Sequence, residues 1–188
     1  MKLLKRANVF RNHLFKTIGL KSSLLAIATS LPIYTAQAAP PELERLKYFE
    51  GNWICQQPAD STEPSGEFTW NAELGLNGFW YLVSARQTQT ATDGQPIDSQ
   101  EFLGYDSATG KLVRSVVVSN GNFYNVTADD WEGDRLVWQG MISIQGKSTA
   151  LRQEMVKDSP ARFITTYFML SKDNSWLPIV EEGCDRQT

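Results

Sequence analysis

Hydrophobic and polar residues alternate through Gly66-Glu67-Phe68-Thr69-Trp70-Asn71-Ala72-Glu73-Leu74. Phe68, Trp70, Ala72 and Leu74 share one side and Glu67, Thr69, Asn71 and Glu73 the other, the period of two of a strand with one dry face. Leu112 to Val118 is β-branched and too short for a helix, and Arg162 to Leu170 is rich in strand formers on both faces. Turn signals recur at Asn77-Gly78, Asp93-Gly94, Thr109-Gly110, Asn120-Gly121, Glu132-Gly133-Asp134, Gln145-Gly146, Asp158-Ser159-Pro160 and Lys172-Asp173-Asn174. Gly and Asn tolerate the positive φ of tight hairpins. With the proline-containing break at Pro58 to Ser65, these nine breaks leave ten segments of strand length.

Only Pro41 to Phe49 reads as a helix. Pro40-Pro41 suits a first turn, Glu42 and Glu44 favour the N-terminal dipole, and Leu43, Leu46 and Phe49 share a face. The pattern predicts an all-β domain: a single antiparallel up-and-down barrel of about ten strands, with a short helix capping one end. Closure removes the edges that an open meander would leave exposed. A two-sheet sandwich is the competitor, but its connections are usually longer than these turns.

Residues 1–38 stand outside that pattern. Lys2, Lys5, Arg6, Arg11, Lys16 and Lys21 give six positive charges and no acid, an apolar run follows from Leu24 to Leu31, and Ala36-Gln37-Ala38 is a small-x-small site. Together they read as a cleaved signal peptide, leaving residues 39–188 as the barrel domain in the periplasm or secreted. The apolar run is shorter than the roughly 20 residues a membrane span needs, so no integral membrane segment is expected after cleavage.

Removing that leader changes the charge. The chain has 18 basic and 21 acidic residues, so losing six basic ones leaves twelve against 21, a net charge of −9. Nucleic acid and anionic lipid are therefore not expected as partners. His13 is the sole histidine and falls in the leader, which excludes histidine-based triads, histidine metal sites and proximal-histidine haem ligation from the mature part. No cofactor or metal is implied.

Cys55 and Cys184 are the two cysteines, one near each end of the mature part. In an oxidising compartment they are expected to pair. The bridge would join the first and last strands across the closing seam, with Cα atoms roughly 4.4–6.8 Å apart. Closing so long a loop is worth about 5 kcal/mol by chain entropy, less any strain.

Leu46-Lys47-Tyr48-Phe49-Glu50-Gly51-Asn52-Trp53 resembles the opening of lipocalin-like barrels, with G-x-W at the start of the first strand. Its spacing L-x-x-F-x-G-x-W, the G-Y-D of Gly104-Tyr105-Asp106, the strand Gly133 to Gly140 and the closing Cys184-Asp185-Arg186 are similar to an uncharacterised family of bacterial lipocalin-like (calycin-type) proteins. The resemblance implies a fold and no settled activity. It gives Trp53 a structural place across the barrel base, and by analogy with the wider group suggests a small apolar ligand. Asp106 is expected to cap the turn before Lys111.

The aromatic load, including Trp70, Tyr81, Tyr124, Trp138 and Tyr167, can fill a barrel or line a cavity for an apolar ligand. Arg114 shares a face with Leu112, Val116 and Val118, and Arg152 lies within Ala150 to Met155. Either arginine, if turned inward without a carboxylate partner, would hold a ligand carboxylate through a two-pronged charged hydrogen bond. Its replacement by Met would then weaken an acid ligand by roughly 2–5 kcal/mol and leave the fold intact. The alternative places both arginines outside, solvated or ion-paired. Glu181-Glu182 reads as surface chemistry.

Three functional readings follow: a non-catalytic barrel binding a small apolar or amphipathic molecule, a filled barrel serving as a protein–protein accessory domain, and a histidine-free enzyme. A lumen cavity above roughly 300 Å³ would favour the first. A carboxylate with a raised pKa inside it would favour the third. The oligomeric state is open.

Overall fold

A computed structural model describes residues 39–57, 66–87 and 96–188. The leader and two expected breaks, Pro58 to Ser65 and Asp93-Gly94, lie outside the described residues. Ten antiparallel strands follow a short helix: β1 (Gly51–Gln56), β2 (Glu67–Gly75), β3 (Trp80–Gln87), β4 (Asp98–Asp106) and β5 (Lys111–Val118). Then come β6 (Phe123–Ala128), β7 (Arg135–Ile144), β8 (Lys147–Ser159), β9 (Arg162–Leu170) and β10 (Trp176–Arg186). Each strand pairs with the next, and β10 pairs with β1, so the sheet closes into an up-and-down barrel. Within the described residues every turn signal falls between two strands except Asp158-Ser159-Pro160, whose first two residues close β8 so that the turn comes at Pro160-Ala161.

Local chemistry accounts for these connections. Gln145 (φ 49°) and Gly146 (φ 76°) form a two-residue turn with both residues in the left-handed region, which matches the right-handed twist of the flanking strands. At Gly140 a Cβ would lie 2.0 Å from the Asn125 carbonyl oxygen, so β6 and β7 approach there as closely as they do because no side chain intervenes.

The seam closes as the cysteine positions predict. Cys55 faces Cys184 in register across β1 and β10, and the two are disulfide-bonded. Their Cα atoms are 3.9 Å apart, closer than the expected range.

The Pro41–Phe49 helix is a 3-10 helix rather than an α-helix. Leu43, Leu46 and Phe49 repeat every three residues, and all three are buried. A period of three stacks side chains along one line of a 3-10 helix, whereas it would drift around an α-helix. This line plugs one end of the barrel. Trp53 donates from Nε1 to the Phe49 carbonyl at 2.8 Å, and Trp131 donates to the Arg45 carbonyl at 2.7 Å. Phe49 stacks on Trp131 and meets Phe163 edge-on, while Trp53 meets Phe163 at 4.8 Å between ring centres. The Arg186 guanidinium lies 4.1 Å from the Trp53 ring centre and donates to the Tyr48 and Glu50 carbonyls. The C-x-R ending thus locks the last strand onto the base, and Trp53 fills the structural place expected of it.

Candidate functional site

The opposite end of the lumen is not filled. A cavity of about 200 Å³ lies there, bounded by Phe68 and Trp70 of β2, Ser99 and Glu101 of β4, Arg114, Val116 and Val118 of β5, Tyr124 of β6, Thr165 and Tyr167 of β9, and Glu182 of β10. Phe163 and the Cys55–Cys184 bridge also line it. Gln57, Gln87 and Ile97, just beyond the strand ends, bound it on the side away from the helix. The volume falls below the roughly 300 Å³ that would favour a binding barrel over a filled one, so size alone does not favour binding, and any occupant is small.

Strand alternation brings these side chains together. Leu112, Arg114, Val116 and Val118 point inward from β5, and Glu101 and Leu103 from β4. Leu103 pairs with Arg114 and Glu101 with Val116, which makes Glu101 and Arg114 diagonal neighbours. On β9, Phe163, Thr165 and Tyr167 point inward; on β10, Glu182 and Cys184 do. Thr165 pairs with Glu182, and a register shift between Pro178 and Val180 lies just before Glu182 on β10.

Arg114 is inside the barrel, as one of the two expectations held, but it has a carboxylate partner. Its Nη2 and Nε lie 2.7 and 2.8 Å from Glu101 Oε2. Its Nη1 donates to Gln153 Oε1 at 3.3 Å, and Gln153 in turn donates to the Tyr124 hydroxyl at 3.4 Å. Trp70 Nε1 donates to the other Glu101 oxygen at 3.0 Å. Burial works against the Arg114 charge, but the Glu101 carboxylate more than offsets it and the pKa is raised. The guanidinium is therefore already committed. The expectation of an unpaired arginine awaiting a ligand carboxylate is overturned, because a buried guanidinium without a counter-charge would be costly and Glu101 supplies one.

Glu182 is different. Tyr167 and Gln57 donate hydrogen bonds to it, and among the described residues no cation pairs with it. Burial pushes its carboxyl up to about 7, against the opposing pull of Tyr167, Arg114 and Gln57. Burial also raises the Tyr124 hydroxyl to about 12 and carries Tyr167 well above its usual value, the latter helped by the nearby Glu182 charge. Glu182 thus lines the cavity, which corrects its reading as surface chemistry. The signal was present in the sequence: Cys184 must face inward to reach Cys55, and a period of two turns Glu182 the same way.

Of the other expected ligand-binding residues, Trp70, Tyr124 and Tyr167 line the cavity beside Arg114. Arg152, Tyr81 and Trp138 do not. Arg152 lies on the outer face between inward-pointing Leu151 and Gln153, ion-paired with Glu154 and set 5.7 Å from the Phe168 ring centre. Tyr81 is buried toward the helix end, where burial and then Glu50 raise its hydroxyl to about 12. Trp138 is fully buried and donates to Met155 Sδ at 3.3 Å. Both are core rather than cavity wall, because depth along a tilted barrel depends on stagger between strands and not on which face a residue occupies. Asp106 caps its turn as expected: the Thr109 hydroxyl and Ala108 amide bind its carboxylate and hold its pKa low.

Among the described residues no cluster of three or more His, Cys, Asp or Glu side chains has the geometry of a metal site. No described helix is long and apolar enough to cross a membrane.

No family model matches the chain, and no curated protein matches it. The crystal structure of Rv2717c from M. tuberculosis superposes with a TM-score of 0.56, covering 80% of this chain and 100% of that one at 13% identity. That likeness shows a shared fold. A redesigned β-barrel covers 76% of this chain and 94% of its own at 12% identity, with a TM-score of 0.42.

Proposed function

We propose that this is an exported, lipocalin-like barrel that holds a small amphipathic molecule non-covalently in the cavity bounded by Trp70, Tyr124, Tyr167 and Glu182. The observation that carries this reading is the unfilled end of the lumen. The same strands that pack a dry aromatic plug at one end leave about 200 Å³ at the other, walled by aromatic faces and a few convergent polar groups. Binding sites have that composition. The leader-like residues 1–38 and a disulfide between distant cysteines support an oxidising compartment outside the cytoplasm. Native mass spectrometry of protein purified from its own compartment tests this. A retained small molecule that leaves on denaturation is the expected result. Protein that is always empty, and whose melting temperature no small amphipathic compound raises, overturns it.

One observation favours a second reading, a histidine-free enzyme. A carboxylate pushed up to about 7 inside a cavity is poised to take and return protons near neutral pH. Tyr167, whose hydroxyl donates to Glu182, holds that carboxyl in place at the cavity wall. Incorporation of solvent deuterium into the retained molecule, abolished in Glu182→Gln, would establish this reading. A retained molecule that exchanges no carbon-bound hydrogen would dismiss it.

A further inference from the structure

We propose that the cavity selects a small organic cation, an aromatic or aliphatic amine whose ammonium group sits against Glu182. This rests on the binding reading above and names its ligand class.

The lumen is unevenly charged. Among the described residues, the ionisable side chains bounding the cavity are Glu101, Arg114, Tyr124, Tyr167 and Glu182. Glu101 and Arg114 neutralise one another at 2.7 Å, and every polar atom of the guanidinium faces Glu101, Gln153 or Met155. Both tyrosines stay neutral. The remaining charge is the Glu182 carboxylate, which receives hydrogen bonds only from the neutral Tyr167 and Gln57. From β1 and β2 only the bridged Cys55, Phe68 and Trp70 face this space, and none of them offers a counter-ion. An entering carboxylate would find its arginine occupied and two acids nearby. An entering ammonium would find a carboxylate without a counter-ion and the aromatic walls of Trp70 and Tyr167, the Tyr124 ring already carrying the Arg114 guanidinium at 5.6 Å. The acid ligand anticipated from Arg114 alone is thereby reversed in sign.

Because the cation needs ionised Glu182, binding is linked to pH. A protonated Glu182 offers no charge, so affinity for an amine falls as pH drops through the range where this group titrates. The other groups facing Glu182 do not reproduce that dependence. Glu101 is tied to Arg114 and Trp70 and is common to wild type and Glu182→Gln, so the variant separates its effect; Arg114 stays charged, the two tyrosines stay neutral, and Gln57 does not titrate.

The test is isothermal titration of the mature protein with three near-isosteres: 2-phenylethylammonium, 2-phenylethanol and phenylacetate. At pH 8 the amine is expected to bind about tenfold or more tighter than the alcohol, as for one charge-assisted hydrogen bond, and the acid not at all. Glu182→Gln should erase the preference. In wild-type protein the preference should also shrink about tenfold between pH 8 and pH 5.5, a readout that needs no variant. Arg152→Met, on the outer face, should leave it unchanged. Alcohol or acid binding as well as the amine, or a preference that survives in Glu182→Gln, overturns the cation proposal and leaves the binding site standing. If none of the three binds although native protein retains a molecule, this ligand class is wrong; if native protein also retains nothing, the binding reading itself has failed.

Discussion

At the helix end of the lumen, Leu43, Leu46, Phe49, Trp53, Leu112 and Leu136 are buried almost completely, and their one polar side-chain group, the Trp53 indole N–H, finds a backbone carbonyl. At the other end, Glu101, Arg114, Gln153 and Tyr124 are buried too, and the half-buried Tyr167 and Glu182 stand beside them on the cavity wall. The strands are continuous between the two, so the difference is not one of fold. The plugged end follows the rule that small barrels fill themselves with side chains. The open end departs from it by keeping two acids and an arginine where apolar residues would pack with less cost. Local departures from packing logic are the expected mark of a working site.

The comparison can be broken first at the plugged end. Trp53→Ala removes the ring that spans Phe163 and Arg186 and should destabilise the barrel by about 3–5 kcal/mol in chemical denaturation, with no selective effect on ligand. A loss under about 1 kcal/mol would mean that the base is not the structural anchor.

Arg114→Met should cost a similar amount, about 3–5 kcal/mol, because Glu101 is left buried without its counter-charge. The double variant Glu101→Gln/Arg114→Met should recover much of that loss. Two additive losses would contradict the pairing. This also reverses the simpler expectation that Met in this position leaves the fold intact.

Glu182 should behave in the opposite sense. Its carboxyl is raised from 4.5 to about 7, so the folded state holds a proton that the unfolded chain has already released. Its contribution is therefore lost as pH rises from about 4.5 to 7 and stays lost above. Glu182→Gln should flatten that part of the stability profile and gain roughly 1–3 kcal/mol over wild type at pH 8. A variant less stable than wild type at pH 8 would show that the carboxylate is a structural partner instead. The smallest effect belongs to Arg152→Met on the outer face, expected below about 1 kcal/mol.

The barrel itself was legible from residues. Alternation, turn chemistry and two distant cysteines specify ten strands and a closed seam, because each is a local property or a direct consequence of connecting neighbours. The site was only half legible. Arg114 announced its face through Leu112 and Val116, yet its partner Glu101 is 13 residues away and meets it only once β4 and β5 are in register. Phe102, beside Glu101, is the exposed one, so hydrophobicity pointed to the wrong side of β4. Glu182 was recoverable by counting back two from Cys184. Tyr81 and Trp138 were correctly placed inside but not at the right depth, which strand stagger decides.

Glu182 is the half-buried cavity acid that, among the described residues, has no counter-ion at the open end. Carbon-detected NMR of protein labelled at the glutamate side-chain carboxyl, assigned by comparison with Glu182→Gln, reads its titration directly. The expected result is one carboxyl titrating near pH 7 in free protein and moving below that value when an amine is bound. A Glu182 carboxyl titrating in the ordinary range near 4.5, unmoved by any amine, would contradict it.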